Sequence, residues 1–157
     1  MSLLKNRIKR HDVIRSVIRE KEIRTQKDLV DALRQLGYKC TQATVSRDIN
    51  DMGLEKTSGG AYMLKEDLHL KRLLAGFVQN VARAHNLIVV KTRSGMAQGV
   101  AAAIDAAQLE DALGTIAGDD TILIVALDEK KAELAVRIIN ELRVDRDYAV
   151  GEETGSL

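Results

Sequence analysis

Between Thr25 and Gly53 the chain carries the start and stop signals of two short helices, set back to back. Thr25-Gln26-Lys27-Asp28 has the form of a capping box, with Thr25 as N-cap and Asp28 three residues on. Gly37 stands where a left-handed residue ends a helix. Thr41 then opens the next helix as its N-cap, and Gly53 closes it. This layout is helix, turn, helix, with the second helix suited to the major groove of DNA.

The apolar spacing agrees. Leu29, Val30, Leu33 and Leu36 give the first of these helices a buried stripe. Upstream, about Lys5 to Arg19 reads as another helix, with Val13, Ile14, Val17 and Ile18 on one stripe. In the segment from Thr41, a 3.6-residue period puts Val45, Ile49 and Met52 on one face and Arg47 nearly opposite. Ala43 and Asn50 lie beside Arg47, and Gln42 and Ser46 flank the boundary. Leu54–Thr57 and Ala61–Leu64 read as short strands around Ser58-Gly59-Gly60. Three helices followed by a glycine-tipped hairpin describe a winged helix-turn-helix over residues 1–66, mainly α with a small β wing.

Several residues of the third helix and the wing have an expected task. Arg47 is placed to donate to a guanine edge, with Gln42 and Ser46 as further base-edge readers. Thr41, Thr44, Lys56 and the wing backbone are placed to grip phosphates, which sets register without reading sequence. Asp48 is expected to be structural, because its charge would repel phosphates.

Charge is divided along the 157 residues. The net charge is +1, but residues 1–60 hold 13 Lys and Arg against 8 Asp and Glu, a balance of +5 that leaves the remainder at −4. A polyanionic partner suits the first part and a cationic one the second. Hydrophobic residues make up 45% and aromatics 3%, so any core is aliphatic. Cys40 is the only cysteine, which excludes an intrachain disulfide or a thiolate zinc set, and His11, His69 and His85 have no metal-ligand spacing. There is no membrane-length apolar run and no secretory h-region, so a cytoplasmic location is expected.

Residues 67–72 read as a linker and 73–157 as a second domain. Leu73–Arg83 fits a strand or a helix, and Leu87–Arg93 is a strand, the two turning at Ala84-His85-Asn86. Ala97–Ala107 is an alanine-rich helix. Leu113–Ala117 and Thr121–Leu127 are strands, and Glu129–Leu142 is a helix with Leu134, Ile138 and Leu142 in register. The order β-β-α-β-β-α predicts an α+β layer with an antiparallel sheet. The run Ile122–Leu127 is apolar throughout, as in a strand buried on both faces. With two helices on one sheet face, the other is expected to pack on further subunits. The polar tail from Asp145 is expected to fray.

Gly118-Asp119-Asp120 is first of all a hairpin turn. It also presents two carboxylates, which suit the planar donor fork of a guanidinium, and Asp105 is a candidate to join them. No nucleophile–base pair and no glycine-rich nucleotide loop accompanies them; Gly95 and Gly99 read as helix-entry and packing residues.

Together, Thr41-Gln-Ala-Thr-Val-Ser-Arg-Asp48 and Gly114-Thr-Ile-Ala-Gly-Asp-Asp-Thr121 resemble the bacterial arginine repressor family, in order and spacing, over about residues 5–143. The resemblance implies an N-terminal winged helix that binds double-stranded operator DNA of arginine-metabolism genes. It implies a C-terminal domain that forms trimers, two of which stack into a hexamer. L-arginine would be the corepressor bound between trimers, with no metal and no catalysis. Ser46 and Arg47 match the recognition-helix pair, and Asp119 and Asp120 match the aspartates that bind arginine. Gln98 and Asp105 match positions that contact the ligand from the same or a neighbouring subunit, and Thr115 and Ala117 match backbone contacts. The family often has Pro-Gly-Asn-Ala where this chain has Ser94-Gly95-Met96-Ala97, so the local loop lacks an asparagine's hydrogen bonds. Two other readings are an architectural DNA-binding oligomer without a ligand and a small enzyme acting on a cationic amino acid.

Overall fold

The structure, a computed structural model, describes residues 2–109 and 112–144. The tail from Asp145, expected to fray, lies outside the described residues. The chain divides into two compact units, residues 1–65 and 66–157.

In the first unit, α1 (Ser2–Glu20), α2 (Gln26–Gln35) and α3 (Gln42–Asp51) precede a two-stranded wing, β1 (Leu54–Lys56) and β2 (Tyr62–Leu64). The capping box forms as the spacing predicts. The Asp28 amide donates to Thr25 Oγ1 at 3.1 Å, and the Thr25 amide donates to Asp28 Oδ2 at 2.9 Å. At the other end of α2, Gly37 takes φ +85°, its amide donates to the Arg34 carbonyl, and the Tyr38 amide reaches back to the Leu33 carbonyl. That pair of bonds is a Schellman motif. It puts Leu36 at the C-cap, off the buried stripe and 56% exposed, contrary to the expectation from periodicity. The core is aliphatic: Ile14, Leu29, Leu33 and Val45 have no exposed surface, and Leu64 of the wing closes it. Burying each such side chain is worth about 1.5–3 kcal/mol. The wing is antiparallel, with Leu54 opposite Leu64 and Lys56 opposite Tyr62.

The second unit differs from expectation at its start. Residues 67–72, read as a linker, are helical, and α4 runs Lys65–Phe77 before β3 (Val78–Ala84). The segment that fitted both a strand and a helix is therefore divided between them. Glu66 and Asp67 suit the positive N-terminal end of a helix dipole. Leu70 and Leu74, one helical turn apart, are both fully buried.

The remaining elements are β4 (Leu87–Thr92), α5 (Ala97–Ala107), β5 (Ala112–Ala117), β6 (Thr121–Ala126) and α6 (Glu129–Val144). The sheet order is β3-β4-β6-β5, antiparallel throughout. Ile88 and Val90 of β4 and Ile122 and Ile124 of β6 face α5 and α6, and all four are fully buried. Ala97, Ala101, Ala103 and Ala107 are buried on α5, where their small side chains let the helix lie close to the sheet. On α6 the buried residues are Ala132, Ala135 and Ile139, whereas Leu134 is 38% exposed. Both stripes of this helix satisfy a 3.6-residue period, and the sheet selects the one with small residues.

The opposite sheet face carries a row across three strands. Val89 pairs with Leu123, and Leu123 with Ile116. Leu87 and Val125 form a second pair. Ile116 is 74% exposed, and Val89, Leu123 and Val125 are half-buried. Within one chain β6 is thus buried on one face and open on the other, and the open face is the one expected to pack on further subunits.

Thr25→Ala removes the N-cap acceptor and is expected to lower stability by about 1 kcal/mol, read as a lower urea midpoint of the full chain. Hydrogen bonding to Thr25, side chain first and backbone second, holds the Asp28 carboxyl below the ordinary carboxylate range. Its contribution to stability is therefore present above that range and lost as pH falls through the lowered value. Asp28→Asn should be less stable than wild type at neutral pH, and the gap should close in strongly acid solution.

Candidate DNA interface and ligand turn

α3 is capped by Thr41, whose Oγ1 accepts from the Thr44 amide at 3.3 Å and lies 3.0 Å from Thr44 Oγ1. Val45 and Ile49 point into the core. Gln42, Ala43, Arg47 and Asn50 are exposed, and Ser46 is half-buried at the boundary. The residues expected to read bases therefore share the outward side of one helix. Thr41 and Thr44 line an open groove of about 590 Å³ together with Arg34, Lys39 and Cys40. Arg34 and Lys39 bring two cations to the start of α3, where anions are already favoured. Neither carried a signal in the sequence, because they belong to the end of α2 and the turn after it. Burial pushes the Cys40 thiol up, which favours its protonated form. On the wing, the exposed Lys56 ammonium lies 5.1 Å from the centre of the Tyr62 ring, close enough for a cation–π interaction.

Asp48 is the inward exception on a polar helix. It is 2% exposed and accepts two hydrogen bonds from Arg10 of α1, at 2.6 and 3.0 Å. His11 Nε2 lies 2.9 Å from the same carboxylate. Burial pushes the Asp48 carboxyl up, but the bonds and charges of Arg10 and then His11 outweigh burial and hold it below the ordinary carboxylate range. The expected structural role thus has named partners.

In the second unit, the turn Gly118-Asp119-Asp120 joins β5 to β6, closed by the Gly118 amide on the Thr121 carbonyl at 2.9 Å. Two neighbouring segments are bonded to its backbone. The Thr92 amide donates to the Asp120 carbonyl, and the Ala97 amide to the Asp119 carbonyl. Gly95 takes φ +78° and Met96 stands at the N-cap of α5 with no side-chain capping bond, as expected where an asparagine is replaced. Both carboxylates are exposed and already engaged. Ser94 Oγ donates to Asp119 Oδ2 at 2.7 Å. Thr121 Oγ1 donates to Asp120 Oδ1 at 2.7 Å, and Lys91 Nζ lies 3.9 Å from the same oxygen and 2.6 Å from Thr121 Oγ1. The hydroxyl of Thr121, and next the charge of Lys91, hold the Asp120 carboxyl below its ordinary range, so it is ionised at neutral pH.

The other expected ligand residues fall into a second cluster. Thr115 Oγ1 donates to Asp105, at 3.0 and 2.9 Å to its two oxygens, tying β5 to the last turn of α5. Gln98 is exposed on the first turn of α5, and Ala117 ends β5 beside the turn. Each cluster is held by its own bonds. The sequence reading missed Ser94, Lys91 and Thr121 as neighbours of the aspartates. Lys91 and Thr121 meet only because β4 and β6 pair in that register, which no local pattern announces.

The family described as "Arginine repressor, DNA binding domain" matches residues 5–69, and "Arginine repressor, C-terminal domain" matches residues 74–141. An arginine repressor of Thermus thermophilus is 45% identical over 139 residues, covering 82% of this chain and 85% of that protein. An arginine repressor of Carboxydothermus hydrogenoformans is 45% identical over 136 residues, covering 80% and 91%. One of Alkaliphilus oremlandii is 43% identical over 143 residues, covering 85% and 96%. With both halves matched in order, the chain belongs to the arginine repressor family, and its first unit is that family's DNA-binding domain.

Proposed function

We propose that this protein is an arginine-responsive transcriptional repressor in which α3 reads operator DNA and the Asp119–Asp120 turn receives L-arginine. The observation that carries the reading is the division of α3, with Arg47 exposed and the neighbouring Asp48 buried on α1. The one carboxylate that would repel DNA from the middle of this helix is turned inward and neutralised. Arg47 donates to a guanine edge, with Gln42 and Ser46 beside it. Thr41, Thr44 and Lys56 hold phosphates, joined by Arg34 and Lys39 in the groove. The protein is a DNA-binding regulator, not an enzyme.

For the ligand, a guanidinium takes over the two exposed carboxylates from Ser94, Thr121 and Lys91 through charge-assisted hydrogen bonds. Asp105, Gln98, Thr115 and Ala117 complete the site from the same or a neighbouring subunit. The open apolar row Val89, Leu123 and Ile116 is the surface on which copies assemble, as trimers and pairs of trimers. Arginine bound where carboxylates of several subunits meet removes their repulsion and stabilises the assembly by mass action. Assembly presents several DNA-binding units together, so weak single contacts add through effective concentration. Among the described residues no helix is long and apolar enough to cross a membrane, and the protein acts in the cytoplasm.

A mobility shift on operator DNA with and without L-arginine tests the reading as a whole; equal affinity in both would favour a ligand-independent architectural role. Arg47→Ala is expected to weaken operator binding by about 1–3 kcal/mol and to weaken nonspecific binding much less. Equal losses on both DNAs would remove Arg47 from base recognition. Asp119→Ala should keep the circular-dichroism spectrum and melting temperature of wild type and lose arginine binding in calorimetry. An unchanged arginine affinity would place the ligand elsewhere.

A further inference from the structure

Three residues of α1, Arg7, Arg10 and His11, share one helical face and all reach α3. Arg7 pairs with Asp51 at 2.6 Å in an exposed bridge, with side chains 47% and 45% accessible. Such a pair contributes little. The inner cluster is different: Arg10 is 17% exposed, His11 23% and Asp48 2%. Both Asp48 oxygens are held, one by Arg10 Nε and the other by Arg10 Nη2 and His11 Nε2.

We infer that Arg10, through its two-pronged grip on Asp48, is a positioning residue for DNA reading that sets the rotation of α3 and so the aim of Ser46 and Arg47. The inference rests on the assignment of Ser46 and Arg47 as base readers. Its physical basis is the difference between the two kinds of contact that seat α3. Val45 and Ile49 are aliphatic, and their burial is non-directional, so they set how deep the helix lies and resist rotation weakly. A fork-to-fork pair is directional, because both bonds weaken when either group turns.

The geometry gives the scale. A rotation of about 20° at a side-chain radius of roughly 6 Å moves a side chain by about 2 Å. A productive polar contact tolerates only about 0.5 Å. Arg47 and Asp48 are consecutive, about 100° apart around the helix, one exposed and the other buried, so a hold on one fixes the direction of the other. Stability alone does not account for a buried pair, because well-packed apolar residues of similar volume often serve as well. Aim is a property that an apolar replacement does not reproduce.

The test uses the full chain with saturating L-arginine. Binding to an operator duplex and to a scrambled duplex of equal length is measured by fluorescence anisotropy at one salt concentration, beside thermal melts. Arg10→Lys keeps the charge and loses the fork. It should reduce operator affinity about tenfold, the size of one lost base contact, and change scrambled-duplex affinity less than about twofold, since the phosphate electrostatics are kept. Combined with Arg47→Ala, it should cost less than the sum of the two, because both act on one contact. The apolar double variant Arg10→Met/Asp48→Leu should melt near the wild-type temperature and still lack operator preference, and it decides the matter if Arg10→Lys fails to fold. The proposal is overturned by unchanged preference in Arg10→Lys, by equal losses on both duplexes, by additivity with Arg47→Ala, or by full preference in the apolar double variant. If Arg47→Ala itself loses equally on both duplexes, the base-reading assignment fails and this proposal with it. Failure of the Arg10 grip alone leaves the Arg47→Ala loss of preference intact.

Discussion

A helix of ten residues is too short to be stable on its own in water, so α3 exists only where its neighbours hold it. The first unit depends on that constraint. Val45 and Ile49 enter an aliphatic core with Ile14, Leu29 and Leu33. Thr41 satisfies the first turn, and Arg10 and His11 take the one carboxylate that does not belong on a DNA-facing surface. Left outward, with Ala43 and Asn50, are Gln42, Arg47 and the edge residue Ser46. The polar face is available for recognition because every other obligation of the helix is met from within the unit.

The second unit meets a different constraint. Its sheet has helices on one face, and the other face bears Val89, Leu123 and Ile116 in one row. A monomer leaves that row in water, which is why assembly is part of the proposed function. The turn proposed to receive the ligand follows the same logic on a smaller scale. Two exposed carboxylates are adjacent at a tight turn, and each is eased by a donor of the chain itself, Ser94 for one and Thr121 with Lys91 for the other. Those donors are weaker partners than a guanidinium fork, which is why the proposed function has arginine displace them.

Much of this was legible in the residues. The capping box at Thr25 and Asp28, the stop at Gly37 and the cap at Thr41 depend only on neighbours within four positions, and all three form. The strands around Gly118-Asp119-Asp120 were equally local. The errors have one cause, which is local pattern, periodic or polar, read without context. Leu36 continues a stripe on paper, but the helix has already ended beneath it. Leu134 and Ala135 lie on two possible stripes of α6, and only the sheet chooses between them. Residues 67–72 looked like a linker because they are polar, yet Leu70 and Leu74 had a core to reach.

The sequence by itself determined where α2 and α3 are capped and stopped, which face of α3 is polar, and that two aspartates stand at one turn. It did so because caps, turns and amphipathic periods are short-range, set by backbone geometry within a few residues. Only the tertiary structure decided that Arg10 and His11 hold Asp48, about forty positions away, and that Lys91 lies opposite Thr121 beside Asp120. Those pairings depend on how helices cross and how strands register, and these are fixed by the filling of a shared core, which no local pattern encodes.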